Sequence, residues 1–150
     1  MVAQINESRN RYDLEKKVKQ VMKTMDTQNN FSKTVLIVED NYYNMVAMTS
    51  ILKSRKINCQ FATNGQECLD ILSGHPNITL VLMDMLMPVL DGYKTIETIR
   101  KTEKLKDIPI IAVTAFAMKG DKEKCIEAGA TDYISKPVDV DELLLLLKKY

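Results

Sequence analysis

From Lys33 onward, short apolar runs rich in β-branched residues alternate with stretches of helical periodicity. The runs predict strands at residues 34–38, 59–62, 80–83, 110–113 and 133–134. The stretches between them predict helices over 43–53, 65–72, 92–101, 119–128 and 140–150. Four of the five runs are strongly apolar, as strands covered on both faces must be. Strand and helix in regular alternation imply a parallel sheet with helices on both sides. Five such repeats predict a flavodoxin-like, doubly wound α/β fold with strand order 2-1-3-4-5. Boundary residues agree: Asn64 and Gly65 follow the second run, Pro109 precedes the fourth, and Gly129 stands where a helix C-cap belongs. Asp139 with Glu142 three residues later has the form of a capping box.

At 100° per residue, Val140, Leu143, Leu144 and Leu147 form the core stripe of the last helix, with Leu146 at its flank and Leu145 on the opposite side. On the first helix Met45, Met48 and Leu52 turn toward the sheet. Tyr43, Asn44 and Ala47 are left near the end of the first strand.

Composition narrows the function. The chain has 150 residues, enough for one domain with a short appendage that buries roughly 70% of its unfolded surface. Its 21 basic and 20 acidic side chains nearly cancel, without the electrostatic footprint that nucleic-acid binding needs, so no nucleic-acid partner is expected. No apolar run approaches the ~20 residues of a bilayer span, and the opening MVAQINESRNRYD lacks the basic and apolar regions of a secretion signal. A cytoplasmic protein without membrane insertion is expected. Cys59, Cys68 and Cys125 lack metal-type spacing and fall within apolar patterns, as reduced thiols serving as small hydrophobes do. No output domain is expected after the fifth helix.

The polar positions at the strand ends carry the chemistry. Glu39 and Asp40 close the first strand and Asp84 the third, and order 2-1-3-4-5 makes those strands neighbours at the switch point where this fold binds ligands. Three carboxylates in one place repel one another unless a cation is supplied. Mg²⁺, with Mn²⁺ as a substitute, suits two direct carboxylates, a backbone carbonyl and water or phosphate oxygens. Thr114 ends the fourth strand, and Ser135, Lys136 and Pro137 follow the fifth, so a hydroxyl and an ammonium reach the same rim. That set suits phosphoryl transfer, which depends on positioning and on neutralising the equatorial oxygens, with a carboxylate as nucleophile. Singly, an acidic pair after a strand is more often a helix cap, and a lone Thr or Lys there means little. Their joint occurrence in strand order carries the inference.

The segments VLIVEDNYYN, LVLMDMLMPVLDGYK and IPIIAVTAFAMKGDKEKCIEAGATDYISKPV make residues 34–148 closely resemble the response-regulator receiver family, in the variant commonly attached to hybrid histidine kinases. The resemblance implies that Asp84 is the phosphorylated residue, Asp40 a direct Mg²⁺ ligand, Glu39 an acidic partner acting through water, and Leu86 the backbone-carbonyl ligand. It further makes Thr114 the switch hydroxyl, Lys136 the ion-pair partner of the phosphoryl group, Tyr133 the switch aromatic, and the bond before Pro137 cis. Leu86 and Phe116, two positions beyond Asp84 and Thr114, would govern the water that hydrolyses the acyl phosphate; both are large and apolar, which implies slow hydrolysis.

By the same resemblance the donor is a histidine kinase or a histidine phosphotransfer domain docking on the first helix near Tyr43, Asn44 and Ala47. The face of fourth helix, fifth strand and fifth helix, with Leu145, would signal or form a homodimer. The chain is then either the receiver of a hybrid kinase or a stand-alone regulator, and a catalyst only of its own phosphorylation and dephosphorylation. Two other readings are a phosphorylation-independent pseudo-receiver adaptor, which would normally have lost part of the pocket, and an aspartyl-phosphate phosphatase. The latter resembles a DxD arrangement with a second Asp as acid and base, where this chain has Leu86.

Residues 1–33 differ in character, with seven basic and four acidic side chains and neither Gly nor Pro, and are read as a helical extension or linker before a receiver domain at 34–150. Leu14, Val18, Val21 and Met25 follow coiled-coil spacing for about two heptads. A helix so short is marginal alone. It could continue from an upstream kinase, form a dimer, or pack on the receiver.

Overall fold

The computed structural model describes Lys16, residues 33–116 and residues 118–150. The predicted seam of Leu14, Val18, Val21 and Met25 lies outside the described residues. Along the chain come β1 (Thr34–Val38), α1 (Tyr42–Ser54), β2 (Asn58–Ala62), α2 (Gly65–Gly74), β3 (Leu80–Asp84), α3 (Gly92–Lys101), β4 (Ile110–Thr114), α4 (Asp121–Glu127), β5 (Asp132–Ser135) and α5 (Val140–Lys149). The strands form one sheet in the order β2-β1-β3-β4-β5, every pairing parallel.

Because side chains alternate across a strand, each strand feeds both faces of the sheet. Leu36, Val38, Val81 and Met83 join Ile96 and Ile99 of α3, Cys68 and Leu72 of α2 and Cys125 of α4 in one buried cluster. Val35, Ile37, Leu80 and Leu82 join Met45, Met48 and Leu52 of α1 and Leu143 and Leu147 of α5 in the other. The domain therefore has three layers, with α2, α3 and α4 on one face and α1 and α5 on the other. All three cysteines are buried, none is in a disulfide among the described residues, and burial pushes the Cys68 thiol up to about 12.

Strands β3 and β4 each run one residue beyond the apolar run that predicts them. Asp84 pairs with Val113 and Thr114 with Ser135 in the ladder, so the polar side chains that end the hydrophobic pattern do not end the strand. Helix α4 is shorter than predicted because Gly120 has a left-handed backbone, φ 106°, and serves as its N-cap. Val140 is a correction to the predicted core stripe. It is 43% exposed, since it is the first residue of α5 and its side chain lies over the turn before the helix rather than over the sheet. Leu143 and Leu147 are buried as expected, Leu144 and Leu146 are half-buried, and Leu145 is exposed.

Four helices start on a side-chain cap. Asn41, Asn64, Asp91 and Asp139 each accept a hydrogen bond from the backbone N–H three residues on. Helix α4 has no such bond. The start of α3 is pressed onto the end of β3: a Cβ on Gly92 would come within 2.5 Å of the Asp84 carbonyl oxygen and 2.7 Å of Met85 Cα. At the other end of α3, Arg100 donates to the carbonyls of Gly129, Lys106 and Ile108 and to Thr131 Oγ1, which ties α3 to the loops that enter β4 and β5.

Candidate functional site

β1 and β3 are adjacent and parallel, so the residues at their carboxyl ends meet. Glu39 and Asp40 follow β1 directly and Asp84 is the last residue of β3, and one carboxylate oxygen from each lies within 4.8 Å of the others. Glu39 is 1% exposed and Asp84 4%, whereas Asp40 faces solvent.

Burying two carboxylates requires compensation. Glu39 Oε1 accepts from the Asn41 backbone N–H at 2.9 Å, and Asp84 Oδ1 accepts from the Leu86 N–H at 3.1 Å. Their other oxygens share one cation: Lys136 Nζ is 2.9 Å from Glu39 Oε2 and 3.2 Å from Asp84 Oδ2. Lys136 comes from the loop after β5, whose bond to Pro137 is cis. Burial favours the neutral amine, but the hydrogen bond to Glu39 and the charges of Asp84 and Glu39 outweigh it and raise the Lys136 pKa above its ordinary value.

Three carboxylates and one ammonium leave an excess of two negative charges. The donors are hard oxygens, and the exposed Asp40 leaves the cluster open on the solvent side. This set fits a small, hard divalent cation that keeps part of its water shell, and does not suit a soft metal.

Thr114, at the end of β4, is buried, and its Oγ1 accepts from the Phe116 N–H at 3.1 Å. Its carbonyl accepts from the Lys136 N–H at 2.7 Å, so the hydroxyl and ammonium are set by the same pair of strand ends. Leu86 and Phe116 stand at the rim, each 49% exposed. Tyr133 is half-buried in β5, with Lys122 Nζ of α4 5.5 Å from its ring centroid. On α1, Tyr43, Asn44 and Ala47 are exposed. A cleft of about 270 Å³ lined by Asn44, Ala47, Ile51, Pro137 and Val138 leads from that face to Glu39 and Lys136. Leu145 lies away from this cluster, 67% exposed on α5.

Sequence reasoning missed Asn41, whose backbone N–H satisfies Glu39, and Val138 with Ile51, which wall the cleft. An apolar residue directly after Lys136-Pro137 was the available signal for Val138. It also missed Val89, which adopts φ 69° in the loop after β3 and is exposed beside the site. A β-branched residue gives no sign of a left-handed backbone.

Residues 35–148 match the family model described as the response regulator receiver domain. The chain belongs to that family. Receiver domains are signalling modules of two-component phosphorelays. The chain is similar to the polar-differentiation response regulator DivK of Brucella ovis, 38% identical over 119 residues that cover 79% of this chain and 96% of DivK. The receiver domain of sensor histidine kinase PA1611 from Pseudomonas aeruginosa, crystallised with magnesium coordinated in its active-site cleft, superposes with a TM-score of 0.73 at 34% identity, covering 80% of this chain and 98% of that one. The receiver domain of Ssk1 from Saccharomyces cerevisiae, solved with the histidine phosphotransfer protein Ypd1, gives a TM-score of 0.68 at 35% identity, covering 77% and 86%. Among the described residues of this receiver, no helix is long and apolar enough to cross a membrane.

Proposed function

We propose that this receiver accepts a phosphoryl group on Asp84 from a phosphohistidine of a histidine kinase or histidine phosphotransfer domain. The observation that carries the proposal is the clustering of the Glu39, Asp40 and Asp84 carboxylates within 4.8 Å of one another, with Lys136, 97 residues from Glu39 in sequence, paired to both Glu39 and Asp84. A cluster of buried acids that served only the fold would gain nothing from remaining open to solvent at Asp40.

Asp40 and Asp84, with the backbone carbonyl of Leu86, would hold Mg²⁺, or Mn²⁺ in its place, and Glu39 would act through water. When bound, the metal neutralises charge on the phosphoryl oxygens. Asp84 attacks phosphorus in line with the phosphoramidate bond: an O–P bond forms, the N–P bond breaks, and its electron pair leaves with the imidazole. Lys136 is already 3.2 Å from Asp84 Oδ2 and moves little to pair with a phosphoryl oxygen. The Thr114 hydroxyl accepts from Phe116 and so keeps its own O–H to donate to another. Tyr133 follows Thr114 and carries the change to the face of α4, β5 and α5, where Leu145 is exposed toward an effector or a second copy.

The donor docks on α1 around Tyr43, Asn44 and Ala47, next to the cleft that opens on Glu39 and Lys136. The solved pair of Ypd1 and Ssk1 supports a phosphotransfer protein in this role. Residues 34–150 form the receiver, 1–33 a helical extension or linker, and the protein acts in the cytoplasm, either within a hybrid kinase or alone. It turns over no external substrate, since Leu86 stands where an acid for a leaving alcohol would be needed.

Incubation with acetyl phosphate and Mg²⁺ is expected to give one hydroxylamine-sensitive phosphoryl group per chain, lost in Asp84→Asn and on chelation of the metal. Full labelling of Asp84→Asn would reject Asp84 as the acceptor.

A further inference from the structure

Helix α4 is held more lightly than its neighbours. It has seven residues, no side-chain N-cap, a left-handed Gly120 at its start, and one buried side chain, Cys125. Its Lys122 reaches the sheet edge, with the ammonium 5.5 Å from the centroid of Tyr133. Lys122 is exposed, and among the described residues no carboxylate forms an ion pair with it. The ring it covers is half-buried, packed against the cluster that contains Cys125 and Ala112. Tyr133 lies three residues before Lys136 and pairs with Ala112, two residues before Thr114. One flexible cation thus sits on an aromatic residue of β5 that lies in the strand leading to Lys136 and beside the strand that ends in Thr114.

We propose that Lys122 is a positioning residue for Tyr133: its cation–π contact holds the ring in the resting arrangement, and the strength of that contact sets how readily the phosphorylated arrangement forms. This rests on the reading of Tyr133 as the switch aromatic. A contact biases an equilibrium only if it differs between the two states. The ammonium is already over the ring in the phosphate-free chain, so a ring that follows Thr114 inward must leave it. By linkage, whatever Lys122 adds to the resting state it subtracts from the affinity for a phosphoryl group. An exposed cation–π pair is worth about two- to five-fold in such an equilibrium. Charge removal at Lys122, by substitution or by acylation of its amine, should therefore sensitise the receiver without touching the acidic site.

The test uses the full chain and beryllofluoride with Mg²⁺ as the phosphoryl analogue, titrated by fluorine NMR. Lys122→Met, which keeps the aliphatic stem, is expected to tighten apparent affinity about two- to five-fold. Lys122→Arg, which keeps the cation, should match the wild type, and in a Tyr133→Leu background Lys122→Met should have no effect. In metal-free chain, the Tyr133 ring resonances should shift in Lys122→Met and remain in place in Lys122→Arg. Wild type that binds beryllofluoride while Lys122→Met binds it equally overturns the inference alone, as does an effect that persists without Tyr133. Wild type that binds no beryllofluoride overturns the phosphoacceptor reading and this inference with it.

Discussion

Glu39 and Asp84 are charged groups almost out of contact with water, and Lys136 is what makes both tolerable. Removing one partner of a buried ion pair leaves the other uncompensated, which typically costs more than the pair itself contributes. Lys136→Met is therefore expected to lose about 3 kcal/mol of stability in metal-free buffer, read by urea unfolding, and to recover part of it when Mg²⁺ is added. Equal stability of variant and wild type without metal would contradict a compensating role for Lys136. Individual residues of this kind were legible in the sequence because each is a polar side chain ending an apolar run: Asp84 after LVLM, Thr114 after IIAV, Lys136 after the fifth strand. Asn41 and Val89 were not, since one contributes through a backbone N–H and the other through a backbone angle that its side chain does not encode.

At the scale of elements, β3 and the helix that follows it are closely packed. The Gly92 N–H donates to the Met85 carbonyl, and no room exists for a side chain between α3 and the end of β3. Alanine is the better helix former, yet Gly92→Ala is expected to destabilise by about 2 kcal/mol through overpacking, and to slow labelling by acetyl phosphate because the backbone of Asp84 must shift. Unfolding and labelling rate measured on the same variant check both halves. The far end of α3 is fixed by Arg100, and no sequence pattern announced it: its partners Gly129 and Thr131 lie 29 and 31 residues away and are reached only once the fold exists. Val140 was misplaced for a related reason. Angular periodicity gives the face of a helix but not where along the sheet the helix begins, and the first residue of α5 falls outside the covered area.

For the whole molecule, topology was the most legible property, because alternating strand and helix with mostly apolar strands leaves few arrangements, and the switch point of the sheet then fixes where polar strand ends can meet. Leu86 and Phe116, two positions beyond Asp84 and Thr114, are large, apolar and half exposed. If Asp84 carries the phosphoryl group, two large apolar side chains flank the approach of water to it, so a phosphoryl half-life of minutes or longer is expected at neutral pH, followed by release of inorganic phosphate after removal of the donor. A half-life of a few seconds would show that the rim does not exclude water. Residues 1–33 stand apart in composition.

The most direct measurement for the central claim is chemical location of the phosphoryl group. The full chain is phosphorylated with acetyl phosphate and Mg²⁺, reduced with borohydride to convert any aspartyl phosphate to homoserine, and mapped by peptide mass spectrometry. Homoserine at position 84, absent when the metal is chelated, is the expected result. Homoserine at position 40 instead, or a phosphoryl group retained on a hydroxyl or histidine side chain with position 84 unchanged, would contradict it.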